Sequence, residues 1–177
     1  MTIDRDLFLA ILSMDSYNRG YGVGIKNLPT TGSIGKETIG ADSSIVKDAQ
    51  GARLDIPSGF YALAYDVSTA GIAGLTGTVI SYRGTDVFGG LPWKEGFWTG
   101  DVVNGWGLAI GDYTSPQATL ARQFYQSVAD TAGGADPFAA NITTTGHSLG
   151  GGLAGFVARL YRNKGVLFDN MTFELAA

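Results

Sequence analysis

The stretch Asn141-Ile142-Thr143-Thr144-Thr145-Gly146-His147-Ser148-Leu149-Gly150-Gly151-Gly152-Leu153-Ala154 decides how this chain is read. Its first part, Asn141 to Thr145, is rich in β-branched residues and reads as a strand. Leu149, Leu153, Phe156, Val157 and Leu160 fall on one face of a following helix, with Gly165 as its stop. Between the two lies Gly146-His147-Ser148-Leu149-Gly150, a G-x-S-x-G placed at a strand-to-helix turn, which is the setting a nucleophile elbow requires. Such a turn forces the serine into a strained backbone conformation. The residues two before and two after it must then be small, and glycine stands at both places. The Ser148 hydroxyl would project above the sheet. The Leu149 N–H, at a helix N-terminus, would point toward a developing oxyanion.

Gly150, Gly152 and Gly155 also satisfy G-x-G-x-x-G, a dinucleotide-binding fingerprint when it follows a strand. The context argues against it. The preceding strand ends in three threonines rather than an apolar run, the turn is already occupied by Gly146 to Ser148, and only 22 residues follow Gly155. Small residues that let a helix approach a sheet are the simpler account, and no cofactor is expected.

Working outward, Leu7, Phe8, Ile11 and Leu12 predict an amphipathic helix over 4–18, capped by Thr2 or Asp4. Residues 19–57 are glycine-punctuated and irregular, with room for a short strand. Phe60 to Val67 and Thr78 to Arg83 read as strands joined as a hairpin across the glycines of 71–77. Ser115-Pro116 opens a helix carrying Leu120, Phe124 and Val128, which Gly133-Gly134 ends. Thr172 to Leu175 reads as a further strand. Strands alternating with helices predict a single α/β domain whose sheet is mostly parallel and flanked by helices.

Composition narrows the function classes. The chain has 177 residues, 12 basic and 16 acidic side chains and a net charge of -4, so a phosphate-neutralising surface for nucleic acid is not expected. With no cysteine there is no thiol nucleophile, disulfide framework or cysteine-bound metal. A calcium loop built on Asp86, Asp101 and Asp112 does not fit the spacing of a known loop. No apolar run approaches a membrane span, and the opening Asp4-Arg5-Asp6 carries acids where a classical secretory signal would carry bases.

Thr145-Gly146-His147-Ser148-Leu149-Gly150-Gly151 with Leu153-Ala154 resembles the elbow of the class 3 (fungal-type) lipase family. About 60 residues upstream, Ile80-Ser81-Tyr82-Arg83-Gly84-Thr85-Asp86 resembles that family's second signature, an aromatic-Arg-Gly-Thr/Ser run closing the strand before the lid. The likeness spans about residues 58–175. It implies an α/β-hydrolase fold, of which this chain would be the N-terminal part, and hydrolysis of carboxylic esters, acylglycerols first among them. It also implies Ser148 as nucleophile, Thr85 and the Leu149 N–H as oxyanion donors, and Arg83 as a structural tie. The passage 86–113 then stands where a lid would, with Phe88, Leu91, Trp93, Phe97 and Trp98 as its apolar, substrate-facing side.

His147 is the only histidine. A triad base approaches the serine from a separate loop, so the residue before the serine reads as a packing or hydrogen-bonding part of the elbow. Asp169 would precede its strand and face the wrong side of the sheet, and Glu174, though near the correct strand end, is not assigned as the acid. The acid and base are therefore expected in a missing C-terminal part or a complementary chain, beside a lipid or ester substrate as the other partner. The alternative is a non-catalytic hydrolase fragment, or split-enzyme half, that binds a partner chain or ligand.

Overall fold

Phe8, Leu9 and Leu12 on one helix, and Leu120, Phe124, Leu153 and Val157 on two others, are all at most 4% exposed and close over the two faces of one sheet. The computed structural model describes residues 3–21, 27–29, 33–84, 115–132 and 136–170. The elements in chain order are α1 (Arg5–Tyr21), β1 (Thr38–Asp42), β2 (Ala62–Asp66), β3 (Thr78–Tyr82), α2 (Pro116–Thr131), β4 (Ile142–His147), α3 (Leu149–Tyr161) and β5 (Lys164–Phe168). The strands lie in sequence order across a five-stranded mixed sheet. β1–β2 and β2–β3 are antiparallel, while β3–β4 and β4–β5, each pair joined through a helix, are parallel. The protein is of the α/β class, but its sheet is half antiparallel rather than mostly parallel, because β1, β2 and β3 are joined without a crossover helix.

Strand alternation explains the layering. Ala62, Ala64, Ile80 and Tyr82 face the α2–α3 side, while Leu63, Tyr65 and Val79 face α1. Helix starts follow the local chemistry. The Asp4 carboxylate accepts the N–H of Asp6 at 2.9 Å and of Leu7 at 3.2 Å, and the Ser115 hydroxyl accepts the Ala118 N–H at 3.2 Å just before Pro116.

Four sequence-based expectations shift. Leu7 is 55% exposed, because the buried stripe of α1 runs through Phe8, Leu9 and Leu12 instead. Leu160 is 40% exposed, on the outer side of α3. Gly165 does not stop α3 but lies inside β5. The stop comes earlier, where Arg162 takes the left-handed conformation (φ 57°) and the N–H groups of Arg162 and Asn163 return to the last turn. The strand after the elbow helix is therefore Lys164–Phe168, and the expected strand at 172–175 lies outside the described residues. Within 19–57 the short strand is β1, followed by a 3₁₀ turn over Ser43–Ile45.

Candidate active site

The carboxyl ends of β3, β4 and β5 lie side by side, since Tyr82 pairs with Gly146 and Gly146 with Leu167. In open α/β sheets this end is where ligands bind. The chain leaves β4 at His147, and Ser148 adopts φ 57°, ψ −127° before α3 begins at Leu149. That region of backbone space costs a non-glycine residue on the order of 1–3 kcal/mol and persists only where surroundings enforce it. Here the enforcement is steric and hydrogen-bonded. A Cβ on Gly146 would collide with the backbone of Gly150 and Gly151, and one on Gly150 with the backbone of Tyr82 and Arg83. The Ser148 N–H donates to the Phe168 carbonyl at 3.1 Å, tying the turn to the neighbouring strand. The Ser148 hydroxyl makes no capping bond to its own helix.

Gly150, Gly152 and Gly155 all fall inside α3. At Gly150 the missing side chain lets the helix approach the end of β3, where a Cβ would meet the Tyr82 and Arg83 backbone.

Arg83 follows β3 and is 7% exposed. Its guanidinium lies 4.8 Å from the Tyr61 ring centroid and reaches the Gly59 carbonyl at 3.5 Å, while its N–H donates to the Tyr61 carbonyl at 3.0 Å. It thus packs the loop before β2 against the end of β3. Thr85 and the candidate lid residues Phe88, Leu91, Trp93, Phe97 and Trp98 lie outside the described residues, as does Glu174.

The His147 ring packs edge-on against Tyr17 of α1, with centroids 6.0 Å apart. The Tyr17 oxygen is 3.4 Å from His147 Nδ1 and donates to the His147 carbonyl at 3.2 Å, and it accepts the Gly84 N–H at 3.0 Å. Nothing in the sequence marks Tyr17, whose partners are 67 and 130 residues away. Asp169 corrects the expectation for its position. It follows β5 rather than preceding a strand, so it stands at the same sheet end as the elbow, its carboxylate 3.9 Å from His147 Nε2. Its side chain is 94% exposed, so water screens this contact.

Beneath the site, α1 carries a buried polar cluster. Asp15, fully enclosed, holds Arg19 through a 2.5 Å ion pair and accepts the Tyr65 hydroxyl at 2.8 Å. Burial and the Asp15 charge both push the Tyr65 phenol well above its ordinary range. Glu37, also fully enclosed, accepts the Ile34 N–H, and burial raises its carboxyl. Among the described residues no group of three or more His, Cys, Asp or Glu side chains could hold a metal ion, and no helix is long and apolar enough to cross a membrane.

No family model, curated protein or solved structure matches this chain.

Proposed function

We propose that the protein is a serine hydrolase of carboxylic esters, of the α/β-hydrolase type and akin to class 3 lipases, with acylglycerols as its first substrate class. One observation carries the reading: Ser148 is held at φ 57°, ψ −127° between a strand and a helix by glycines that tolerate no side chain. A fold maintains such strain where a hydroxyl must be presented for reaction. In this reading Ser148 attacks the ester carbonyl to form an acyl-enzyme, and the Leu149 N–H, free of an intrahelical partner at the first position of α3, donates to the oxyanion. Thr85 is assigned as the second donor on its sequence likeness alone.

His147, engaged with Tyr17, is assigned to the elbow. The triad's acid and base are assigned to a complementary C-terminal segment or chain. A fluorophosphonate probe should label Ser148 in the complete protein. Ser148→Ala should abolish labelling and lower turnover by several orders of magnitude, on the scale of triad deletions. Robust labelling at another serine, with Ser148→Ala fully active, rejects the assignment. The 177 residues alone should hydrolyse esters negligibly, because a serine hydroxyl without its base is a weak nucleophile near neutral pH. Turnover by these residues alone at the level of the complete protein would overturn the assignment of His147 to the elbow and the view that the triad is incomplete here.

A further inference from the structure

Resting on the hydrolase reading, we propose that Tyr17 is the positioning residue of the site, its hydroxyl setting the spacing between the end of β3 and the elbow that presents Ser148. Tyr17 is 4% exposed and comes from α1, on the opposite face of the sheet from the helix that Ser148 opens. Its oxygen takes the Gly84 N–H from one strand end and gives its proton to the His147 carbonyl at the next. Gly84 directly follows Arg83, whose own N–H is fixed to Tyr61, and His147 directly precedes the nucleophile. One hydroxyl therefore spans the gap between the two chain segments that must stay in register for an oxyanion to form beside Ser148.

Two further features fit this role. A Cβ on Gly84 would collide with the Tyr17 hydroxyl and come within 2.8 Å of the His147 carbonyl oxygen, so the tyrosine occupies the space a side chain would need. The bond also consumes the Gly84 N–H, which removes it from the set of possible oxyanion donors and leaves the Leu149 N–H as the donor from the elbow. Because the same oxygen lies 3.4 Å from His147 Nδ1, Tyr17 also fixes the ring of the only histidine. Buried polar groups of this kind hold geometry firmly, since either one left unpaired is costly.

The test compares Tyr17→Phe with Tyr65→Phe in the complete protein. Each removes one hydroxyl bonded across the α1 interface, but Tyr65 bonds Asp15, on the helix itself, rather than the elbow. The readouts are kcat and KM on a short soluble ester, the rate of fluorophosphonate labelling at Ser148, melting temperature, and amide exchange at Gly84. Tyr17→Phe is expected to lower kcat and the labelling rate by about tenfold or more with KM within about twofold, and to speed Gly84 exchange about tenfold. Tyr65→Phe should lower the melting temperature comparably while leaving kcat within about twofold. Equal kcat losses in both variants, tracking melting temperature, would make Tyr17 merely structural and overturn the proposal. So would unchanged Gly84 exchange in Tyr17→Phe. Should that variant not fold, the wild-type Gly84 amide decides alone: protection supports the clamp, and exchange at the rate of an exposed amide overturns it. Wild-type protein whose Ser148 does not react fails the hydrolase reading itself, visibly and before any variant is made, and overturns the positioning role with it.

Discussion

The two faces of the sheet are held by different physics. On the α2–α3 face close apolar contacts dominate, with few buried hydrogen bonds such as Tyr82 donating to the Ala121 carbonyl at 3.0 Å: Leu120, Phe124, Val128, Leu153 and Val157 are all at most 4% exposed, and in the first turn of α3 Gly150 abuts the Tyr82 and Arg83 backbone and Gly151 abuts Asn170. On the α1 face the apolar contact of Phe8, Leu9 and Leu12 gives way within one turn to buried Ser13, Asp15, Ser16, Asn18 and Arg19. There the bonds are polar and long-range, as in Ser81 donating to the Leu12 carbonyl at 2.9 Å and Tyr65 to Asp15 at 2.8 Å. The two faces perform different tasks. Steric exclusion on the α3 side decides that a serine sits at the turn in a strained conformation. Hydrogen bonds from the α1 side decide how firmly the strand ends around that serine are held.

Breaking the polar face at its ion pair should have the largest effect on stability. Arg19→Met leaves Asp15 buried without its cation, which typically costs about 3–5 kcal/mol. Denaturant unfolding of the single variant should read that loss. Arg19→Met combined with Asp15→Leu should recover much of it, since a buried pair replaced by apolar groups is often near neutral. If the double variant is as unstable as the single one, the pair's partners, Tyr65 above all, contribute more than the charges do.

Breaking the close-packed face should cost somewhat less. Gly150→Ala drives a methyl group into the backbone of Tyr82 and Arg83, with the Arg83 carbonyl carbon only 2.7 Å away. Neither neighbour is a flexible side-chain end, so a loss of about 3 kcal/mol, the upper part of the range for overpacking, is expected. Gly74→Ala is the control. It has open space around it and a φ of +74°, so it should lose only about 1 kcal/mol, from backbone strain. Equal losses at the two positions would mean that α3 can slide away from β3, and that the elbow is less constrained than its geometry implies.

How legible each face was follows from the range of its interactions. The elbow could be read because Gly146, Ser148 and Gly150 satisfy a steric rule within five residues. The hairpin and the Ser115-Pro116 helix start could be read for the same reason. The roles of Tyr17, Asp15 and Glu37 could not, because their partners are set by the packed fold and lie far away or in irregular chain. Asp169 was misplaced by a chain of local errors. Taking Gly165 as the helix stop pushed the next strand past residue 170, whereas a left-handed Arg162 allowed β5 to start at Lys164. A non-glycine residue in that conformation leaves no signal in the sequence.

The polar face also predicts a pH dependence. Burial is the main cause that raises the Glu37 carboxyl, with the Asp15 charge adding to it and the Ile34 N–H and Arg19 opposing. A folded-state value above the unfolded one means the folded protein holds its proton longer. The associated stability is full below the unfolded carboxylate range and is lost as pH rises through the raised folded value. Glu37→Gln removes that titration. Its melting temperature relative to wild type should therefore climb as pH increases from about 4 toward 7. A difference that stays flat across that range would show that the Glu37 carboxylate is solvated in the folded state.

The smallest effect tests which stripe of α1 faces the sheet. Leu7 and Leu12 are five positions apart, so a 3.6-residue period separates their directions by about 140° and they cannot share the centre of one narrow face. Leu12 is fully buried among Leu9, Leu63 and Val79, whereas Leu7 is 55% exposed. Leu7→Ser removes apolar surface that water already reaches in large part. It should change stability by no more than about 0.5 kcal/mol, the usual scale for surface substitutions. Leu12→Ala, by contrast, loses transfer energy and opens a cavity between helix and sheet, about 2–5 kcal/mol together. A Leu7→Ser loss approaching that of Leu12→Ala would mean that another part of the protein covers the outer face of α1.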